Sequence, residues 1–429
     1  MKQLFFIGIL FSTLQGLAQD NPIKDDQLKA LIQKAVTNYP RIKELEEQLN
    51  VYAVKDEIAK SNYLPNISAE ATYRFFYPVP SIDFNGANFK FQPVNNYDGH
   101  IGISQLVYDF GKTKLQLERT KTERQLTQTN IDNSKNAVAY QVTQIYYGIR
   151  FLMKSVTVQE EQIKTLKENE QLIQSKLKNG DALEYDLLTT QVRTKNAENR
   201  LEDIKSQLEK QYIYLQLLTG EDQRAIIKSS EDKDMLQLIS DIAQTNWKTS
   251  NAEANLLQKQ LELYNYDLKA AVVNNRPAVL ASAASGFKNG FVPDIEKLKF
   301  NVNAGIGVSV PIYSGNRMKL QRKLTQVIIA GTKKSLETVQ ANIQKDLATV
   351  NADYKNLQVK LENTNTLVQQ AQRAFNLAKT RFKEGLITNV ELLGAQTNVE
   401  DATLQQVQLQ YQMTLDKLET YKIAGTKIF

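Results

Sequence analysis

The sequence contains no cysteine and a single histidine among its 429 residues. Without cysteine there can be no disulfide framework, no thiolate nucleophile and no lipid-anchored cysteine. One histidine argues against histidine-cluster metal sites and most triad chemistry. The formal charge is +6, from 53 basic and 47 acidic residues, and it is spread over the chain as solvated surface. Composition therefore argues against histidine-built metal sites, triad catalysis and a nucleic-acid partner, and we expect no cofactor.

Long hydrophobic runs are also scarce. The first residues read MKQLFFIGILFSTLQGLAQD, with Lys2, an apolar run over 4–14 and small residues at Gly16 and Ala18. This pattern is typical of a secretory signal peptide, predicted to span residues 1–18. No later stretch approaches the roughly 20 apolar residues that a transmembrane helix needs. We therefore expect an exported protein that could enter a membrane only as strands.

Glycine is infrequent, yet it recurs in two related stretches. KLKNGDALEYDLLTTQ (176–191) and RFKEGLITNVELLGAQ (381–396) place Gly180 and Gly385 at the same point, 385 − 180 = 205 positions apart. Asp186 and Glu391 follow each glycine after six residues. Glycine inside a helix costs about 1 kcal/mol relative to alanine, so it usually marks an end or a turn. The repeat predicts two hairpin tips, near 180 and 385.

The segments around these glycines carry an apolar stripe with 4,3 spacing, which is the pattern of a coiled-coil seam. The stripe of the first half continues at the same phase in the second half. It reads Val142, Ile145, Ile149, Leu152, Val156, Ile163, Leu166, Ile173 and Leu177, with Gln159 and Glu170 as its polar members. We therefore predict two antiparallel helical hairpins, 111–218 and 315–423, each with a shorter returning helix.

Four short stretches alternate instead with a period of two, which is typical of half-buried strands. They lie at about 66–77, 97–108, 278–288 and 299–313. Their length and aromatic ends suit a lipid-facing barrel wall around a polar lumen. A soluble hairpin packed on a helix would show the same alternation, so the strands alone leave both readings open.

The number of strands bears on this choice. Four strands cannot close a barrel, because about eight are needed for a filled interior. An open sheet edge is not tolerated in lipid. If the strands cross a membrane, several chains must therefore contribute four strands each to a shared barrel.

Several local motifs in this order resemble the TolC family of outer-membrane efflux and export proteins. AVTNYPRI (35–42) and AKSNYLPNIS (59–68) are similar to the first helix of that family and its entry into the first strand. QLVYDFGK (105–112) and VPIYSGNR (310–317) resemble its step from barrel strand to long helix. The resemblance covers essentially the whole mature chain.

The resemblance implies a mainly α fold with a small β part. Long antiparallel coiled-coil hairpins would form an α-barrel, and four strands per chain would contribute to a trimeric twelve-stranded transmembrane β-barrel. Residues 19–220 would be the first repeat, 221–241 the linker and 242–429 the second repeat. Residues 78–96 and about 289–298 would be extracellular loops.

The same resemblance implies a function and partners. The protein would be an outer-membrane channel-tunnel of a Gram-negative bacterium, with a long periplasmic extension. A homotrimer would contact outer-membrane lipid and dock on a periplasmic adaptor and an inner-membrane pump. It would conduct drugs, small molecules or polypeptides without a catalytic step.

Three groups of residues are implied as sites. Glu391 and Asp186 would line the periplasmic constriction and set its selectivity, although a carboxylate at either position also suits a helix N-terminus. The family's second acidic position is Gly394 here, and its locking arginine is Ile387. Tyr73, Phe75 and Tyr77 would belong to an aromatic girdle. The tip that docks the adaptor would comprise Lys178, Asn179, Gly180, Lys383, Glu384, Gly385 and Leu386.

Two other classes of protein compete with the channel. A structural coiled-coil protein of the periplasm, without transport activity, would explain the helices and leave the strands incidental. A secreted enzyme is disfavoured by the scarcity of histidine and cysteine and by the repeat symmetry. A detergent-requiring trimer in the outer-membrane fraction would distinguish the channel from both.

Overall fold

The structure is a computed structural model that describes residues 23–84, 86–228 and 247–429. The predicted signal peptide and residues 229–241 of the predicted linker lie outside the described residues. The helices are α1 (Asp26–Asn38), α2 (Pro40–Ser61), α3 (Lys112–Lys178), α4 (Glu184–Thr219), α5 (Arg224–Lys228), α6 (Trp247–Ser250), α7 (Ala252–Val273), α8 (Arg317–Lys383) and α9 (Asn389–Ala424). The strands are β1 (Asn66–Phe75), β2 (Ser81–Phe84), β3 (Ala87–Lys90), β4 (Asn95–Tyr108), β5 (Ala278–Lys288) and β6 (Lys299–Ser309).

The chain divides into two compact units. Unit 1 takes in Met1–Tyr39, Lys135–Thr245 and Leu347–Phe429, and unit 2 takes in Pro40–Ser134 and Asn246–Asp346. Each unit thus combines parts of both predicted sequence repeats. Among the described helices, none is both long enough and apolar enough to cross a membrane.

Unit 2 contains an antiparallel four-stranded sheet in the order β1-β4-β5-β6. β1 ends at Phe75, two residues before the predicted end, and β6 ends at Ser309, four residues before it. Pro78 and Pro311 follow these ends in the sequence. Proline has no backbone N–H to donate to a ladder, which disfavours extension of either strand through these positions.

A second, two-stranded sheet lies within residues 78–96, where the sequence analysis expected only a loop. β2 and β3 pair antiparallel, with Ile82 opposite Phe89. The connecting dipeptide is Asn85-Gly86, and Gly86 has a φ of +82°. Asn-Gly between alternating apolar residues is a strong signal for a two-residue hairpin turn. The signal was present in the sequence, so this hairpin could have been predicted.

Unit 1 contains the two hairpin turns that the glycines predict. Gly180 and Gly385 have φ values of +81° and +76°, a region that only glycine adopts without strain. After α3 the Gly180 N–H donates to the Leu177 carbonyl and the Asp181 N–H to the Lys176 carbonyl. The same two bonds recur at Gly385 and Leu386 after α8. Both long helices therefore end in a Schellman motif; we call the turns tip 1 and tip 2.

Apolar clusters fill unit 1 between the helices. One comprises Ile163, Leu166, Ala197, Leu201 and Leu393, from α3, α4 and α9. A second lies nearer the tips and comprises Ile173, Phe375, Phe382 and Leu392. Ile163, Leu166 and Ile173 belong to the predicted stripe of α3, and Phe375 and Phe382 to its continuation in α8, so the 4,3 spacing identified the buried face of both long helices. The cluster members from α4 and α9 were not in a predicted stripe.

Residues near both ends of the described chain pack against one stretch of α3 in unit 1. Asp25 is fully buried; it caps α1 by accepting from the Gln27 N–H, and it accepts from the Tyr146 hydroxyl at 2.6 Å. The carbonyl oxygen of Thr426 accepts from the Tyr140 hydroxyl at 2.9 Å. Ile428 is buried as well. Residues 140–146 of α3 therefore hold segments that lie about 400 residues apart in sequence.

Candidate functional site: the sheet faces and the hairpin tips

One face of the unit 2 sheet is apolar and exposed. Paired residues of adjacent strands lie on the same face, and neighbours along a strand alternate between faces. The register therefore places Ile101, Val302 and Ile306 on one face, and 66% of Val302 and 77% of Ile306 are accessible. A contiguous exposed apolar surface of this kind marks an interaction with a membrane or a partner.

A row of aromatic rings crosses this apolar face near one end of the sheet. The rings of Tyr73 and Tyr97 lie 5.3 Å apart between centroids, and those of Phe287 and Phe300 lie 5.7 Å apart. Of the predicted girdle, Tyr73 lies in this row and Phe75 two residues beyond it, whereas Tyr77 lies outside β1. The predicted girdle did not include Tyr97, Phe287 and Phe300. Only the pairing register, which alternation alone does not supply, brings them level with Tyr73.

The opposite face of the sheet carries the charges. His100 lies opposite Glu70, and its Nδ1 is 2.9 Å from Asp98 Oδ1. Lys288 Nζ lies 3.6 Å from the other oxygen of Asp98. Neighbouring strands therefore form a charged surface on this face.

At tip 2 the carboxylate of Glu391 completes a capping box at the start of α9. Its Oε2 accepts from the Thr388 N–H and from the Thr388 hydroxyl, both at 2.8 Å, and the Glu391 N–H donates to Thr388 Oγ1 at 3.3 Å. These bonds from Thr388 lower the pKa of Glu391. The carboxylate therefore has a structural role at the helix start.

At tip 1 the corresponding cap is weaker. Asp186 Oδ2 accepts from the Leu183 N–H at 3.3 Å, and Leu183 has no side-chain acceptor with which to return the bond. The backbone carbonyl of Asp186 instead accepts from Asn389 Nδ2 at 3.2 Å. Asp186 and Glu391 thus hold equivalent positions in the two hairpins but differ in the strength of their caps.

The predicted docking residues all lie at the two tips and are exposed to solvent. They are Lys178, Asn179, Gly180, Lys383, Glu384, Gly385 and Leu386. Lys178 is the last residue of α3 and Lys383 the last of α8. Together with Lys176 and Arg381 they place positive charge at both helix C-termini, where the helix dipole favours it.

The two hairpins are joined by side chains that the sequence analysis did not single out. Asn389 is buried; its amide nitrogen donates to Thr190 Oγ1 at 3.0 Å, and its oxygen accepts from Asn169 Nδ2 at 3.1 Å. Lys176 Nζ donates to the Phe382 carbonyl at 2.8 Å and lies over the Phe382 ring. No pattern within one segment identifies such partners, because they lie more than 190 residues apart in sequence.

A buried carboxylate lies further along the same contact between hairpins. Glu400 of α9 is 4% exposed, and its Oε1 is 3.4 Å from a guanidinium nitrogen of Arg200 on α4. Burial raises the pKa of Glu400, and the positive charge of Arg200 only partly opposes this. Within the described ranges, no group of three or more histidine or acidic side chains could hold a metal ion.

A lipid-compatible sheet, a charged opposite face and paired coiled-coil hairpins define an outer-membrane channel protein. The chain belongs to the outer membrane efflux protein family, whose sequence model matches residues 31–221 and 295–426. It is 21% identical to Outer membrane protein TolC of Salmonella enteritidis, over 99% of this chain and 87% of TolC.

Solved structures share the fold. The outer membrane protein VceC of Vibrio cholerae superposes with a TM-score of 0.74 at 15% identity, over 95% of this chain and 98% of VceC. A membrane protein of Pseudomonas aeruginosa superposes with a TM-score of 0.77 at 16% identity, over 94% and 95% of the two chains. The predicted fold class, mainly α with long helical hairpins and a small β part, is confirmed, and the family is one of transport channels of the Gram-negative outer membrane.

Proposed function

We propose that three copies of this chain form a twelve-stranded barrel that is the outer-membrane end of an export duct. The observation that carries the proposal is the four-stranded sheet, which has one exposed apolar face and, among the residues that the structure describes, no strand paired with the outer edges of β1 and β6. Lipid does not tolerate such edges, and four strands are too few to close on themselves. Pairing β6 of one copy with β1 of the next removes every edge.

The helical hairpins then form the periplasmic part of the duct. Repeat 1 (19–220) and repeat 2 (242–429) each supply one hairpin, so that three chains supply twelve helices, and residues 221–241 link the repeats. The duct has no catalytic step. Energy for transport of drugs, small molecules or polypeptides comes from an inner-membrane pump, in a tripartite efflux or type I secretion system.

The tips dock a periplasmic adaptor. Support comes from the exposure of Lys178, Asn179, Lys383 and Glu384 beside two turns that glycine and the Schellman bonds hold in one conformation. An exposed surface on a defined backbone is suited to binding with little ordering cost.

Assembly and orientation are tested together by arginine substitutions on β6. Ala304→Arg places a charge on the apolar face, at a cost of about 2–4 kcal/mol near the bilayer midplane. Asn303→Arg, one residue away, places the same charge on the polar face. In mild detergent the native chain and Asn303→Arg should have the mass of a trimer, whereas Ala304→Arg should fail to assemble in the outer membrane. A stable monomer without detergent, or equal tolerance of both changes, would overturn the proposal.

We also assign the cation preference of the duct to Glu391. Three copies of a carboxylate at a narrow aperture concentrate negative potential between low-dielectric walls. Glu391→Gln keeps an oxygen that can accept the bonds from Thr388 and removes only the charge. In planar bilayers at low salt it should weaken cation selectivity more than Asp186→Asn does. The difference should shrink toward 1 M salt, where the Debye length falls to about 3 Å. If Glu391→Gln conducts with unchanged selectivity, the carboxylate of Glu391 serves only to cap α9.

A further inference from the structure

The β2–β3 hairpin presents an apolar face that no part of the described chain covers. Ile82 and Phe89 are a directly opposed pair, and Phe91 follows on the same side, where its N–H donates to the Pro80 carbonyl. Phe89 is 56% exposed, and the other two are exposed to a similar extent. On the opposite side, Asn88 donates to Asp83 at 2.7 Å and to Ser81 at 3.3 Å. The hairpin is therefore two-faced, although it pairs only with itself.

An isolated two-stranded hairpin is at best marginally stable in water. A partner packed against the apolar face would stabilise it. We refer to Ile82, Phe89 and Phe91 as the hairpin face.

A second uncovered apolar surface lies in the loop between β5 and β6, residues 289–298. Its base is fixed, because the buried Asn289 donates to the Asn95 carbonyl at 2.7 Å and accepts from the Tyr97 N–H at 2.8 Å. The loop holds Phe291, Val292 and Leu298 in exposed positions, and Val292 is 81% accessible. The loop is thus a preformed apolar surface on the β6 side of the sheet, which we call the loop face.

The hairpin connects β1 to β4 and the loop connects β5 to β6, so the two connections are neighbours within one copy, at the β4–β5 pair, and again wherever β6 of one copy meets β1 of the next. Within one copy both faces remain exposed, so they do not cover each other there. The hairpin follows β1, which is one edge of the sheet, and the loop precedes β6, which is the other edge. Where β6 of one copy pairs with β1 of the next, these strands lie about 4.8 Å apart. Both connections emerge at the same end of the sheet, because Phe75 at the end of β1 is opposite Asn95 and Lys288 at the end of β5 is opposite Lys299.

We propose that the hairpin face of each copy packs on the loop face of the adjacent copy, forming a ring of three apolar contacts at the outer mouth of the barrel. The interface is heterologous, so three identical contacts close a ring. This inference rests on the proposed trimer and adds an interaction surface outside the membrane-spanning strands. The contacts order the hairpin and protect the exposed end of each β1–β6 seam.

The absence of native cysteine makes a direct test possible. In Phe89→Cys/Val292→Cys, the only thiols are the two introduced ones. The molecular mass of the purified protein is first measured in mild detergent, and the protein is then treated with a short bismaleimide. We expect most of the chain to run as covalent dimers and trimers in denaturing gels, and each single variant to run as a monomer. Asn88→Cys/Val292→Cys, with its thiol on the opposite face of the hairpin, is the matched control and should crosslink far less.

The outcomes separate the two proposals. A trimeric mass without crosslinked products would overturn the interface while leaving the channel intact, and would indicate that the hairpin face meets lipid. Crosslinking of Phe89→Cys alone would also overturn it, because the three hairpins would then meet one another. A monomeric mass would count against the trimer itself. Ile82→Cys/Leu298→Cys repeats the test should Phe89→Cys fail to fold.

Discussion

The two hairpin tips share a backbone and differ in almost every interaction around it. Both turn at a glycine with positive φ and end with the same pair of Schellman bonds. Tip 2, however, has a capping box at Thr388, whereas the equivalent N-cap at tip 1 is Leu183. Leu393 is 1% exposed in unit 1, and its counterpart Leu188 is 53% exposed. The two turns therefore have the same backbone conformation but differ in the burial and bonding of the residues around them.

The difference shows how the two hairpins of one chain divide their roles. The helix after tip 2 inserts its side chains between the helices of hairpin 1, through Leu393, Asn389 and Glu400. The helix after tip 1 presents its equivalents, Leu188, Glu184 and Lys195, to the surface. Substitutions at these matched positions test the asymmetry directly.

The largest difference is expected between Leu393→Ala and Leu188→Ala. Removing the buried side chain of Leu393 should lower the free energy of unfolding by about 2–5 kcal/mol, through lost transfer energy and a residual cavity. The exposed counterpart should change it by less than about 0.5 kcal/mol. Guanidinium unfolding followed by far-ultraviolet circular dichroism measures both. An equal loss at Leu188 would break the comparison by showing that another copy covers it.

The next difference is expected between Asn389→Ala and Glu184→Ala. The first change leaves Asn169 and Thr190 without a partner from Asn389 inside the contact between hairpins. A buried polar group left without its bond costs about 1–3 kcal/mol. Glu184 is exposed, so its replacement should be nearly neutral. If Asn389→Ala unfolds at the native guanidinium concentration, the bonds of Asn389 do not stabilise unit 1.

A smaller effect is expected at the caps. Thr388→Ala should lose about 1 kcal/mol, whereas Leu183→Thr should add stability by supplying the missing acceptor to tip 1. Glu391 has a lowered pKa, so its contribution exists above its unfolded pKa and is lost as pH falls through its folded pKa. The loss caused by Thr388→Ala should therefore shrink in acid, which thermal unfolding across the acidic range would measure. A loss independent of pH would show that the carboxylate adds nothing to the cap.

The smallest effect, and one of opposite sign, is expected at Glu400. Because the pKa of Glu400 is raised in the folded protein, its ionisation lowers the free energy of unfolding. This loss begins as pH rises above the unfolded pKa and is complete above the folded pKa. Glu400→Gln should therefore raise stability at neutral pH by less than the cap change lowers it, and have no such effect below pH about 4. Lys195→Gln, at the exposed equivalent position, should show no gain. Destabilisation by Glu400→Gln at neutral pH would mean that the pairing with Arg200 outweighs burial.

Periodicity predicted the elements of this fold well, because each period is a local property of the chain. The 4,3 stripe identified the buried positions of α3, and the two glycines identified both turns. Alternation located four of the strands, but it placed the end of β1 two residues too late and the end of β6 four residues too late. The hairpin at Asn85-Gly86 was missed despite a clear turn signal.

The contacts between elements were beyond this reasoning. Asn389 looks like an ordinary helix-start residue in the sequence, and only the packing of hairpin 2 against hairpin 1 places it between Asn169 and Thr190. Similarly, Glu400 reads as one more charged residue until its helix is known to face inward.

The packing of Asp25 and Thr426 against the same part of α3 has a consequence for biogenesis. A helix made early cannot reach its final environment until the last stretch of the chain has crossed the inner membrane. Folding rates fall as native contacts become more distant in sequence, so we expect Tyr140 and Tyr146 to be covered late in the folding of unit 1. Periplasmic chaperones that hold incompletely folded chains, and proteases that cleave them, would act before these residues are covered. Loss of only residues 426–429 would extend this interval, even though every strand and both tips would be intact.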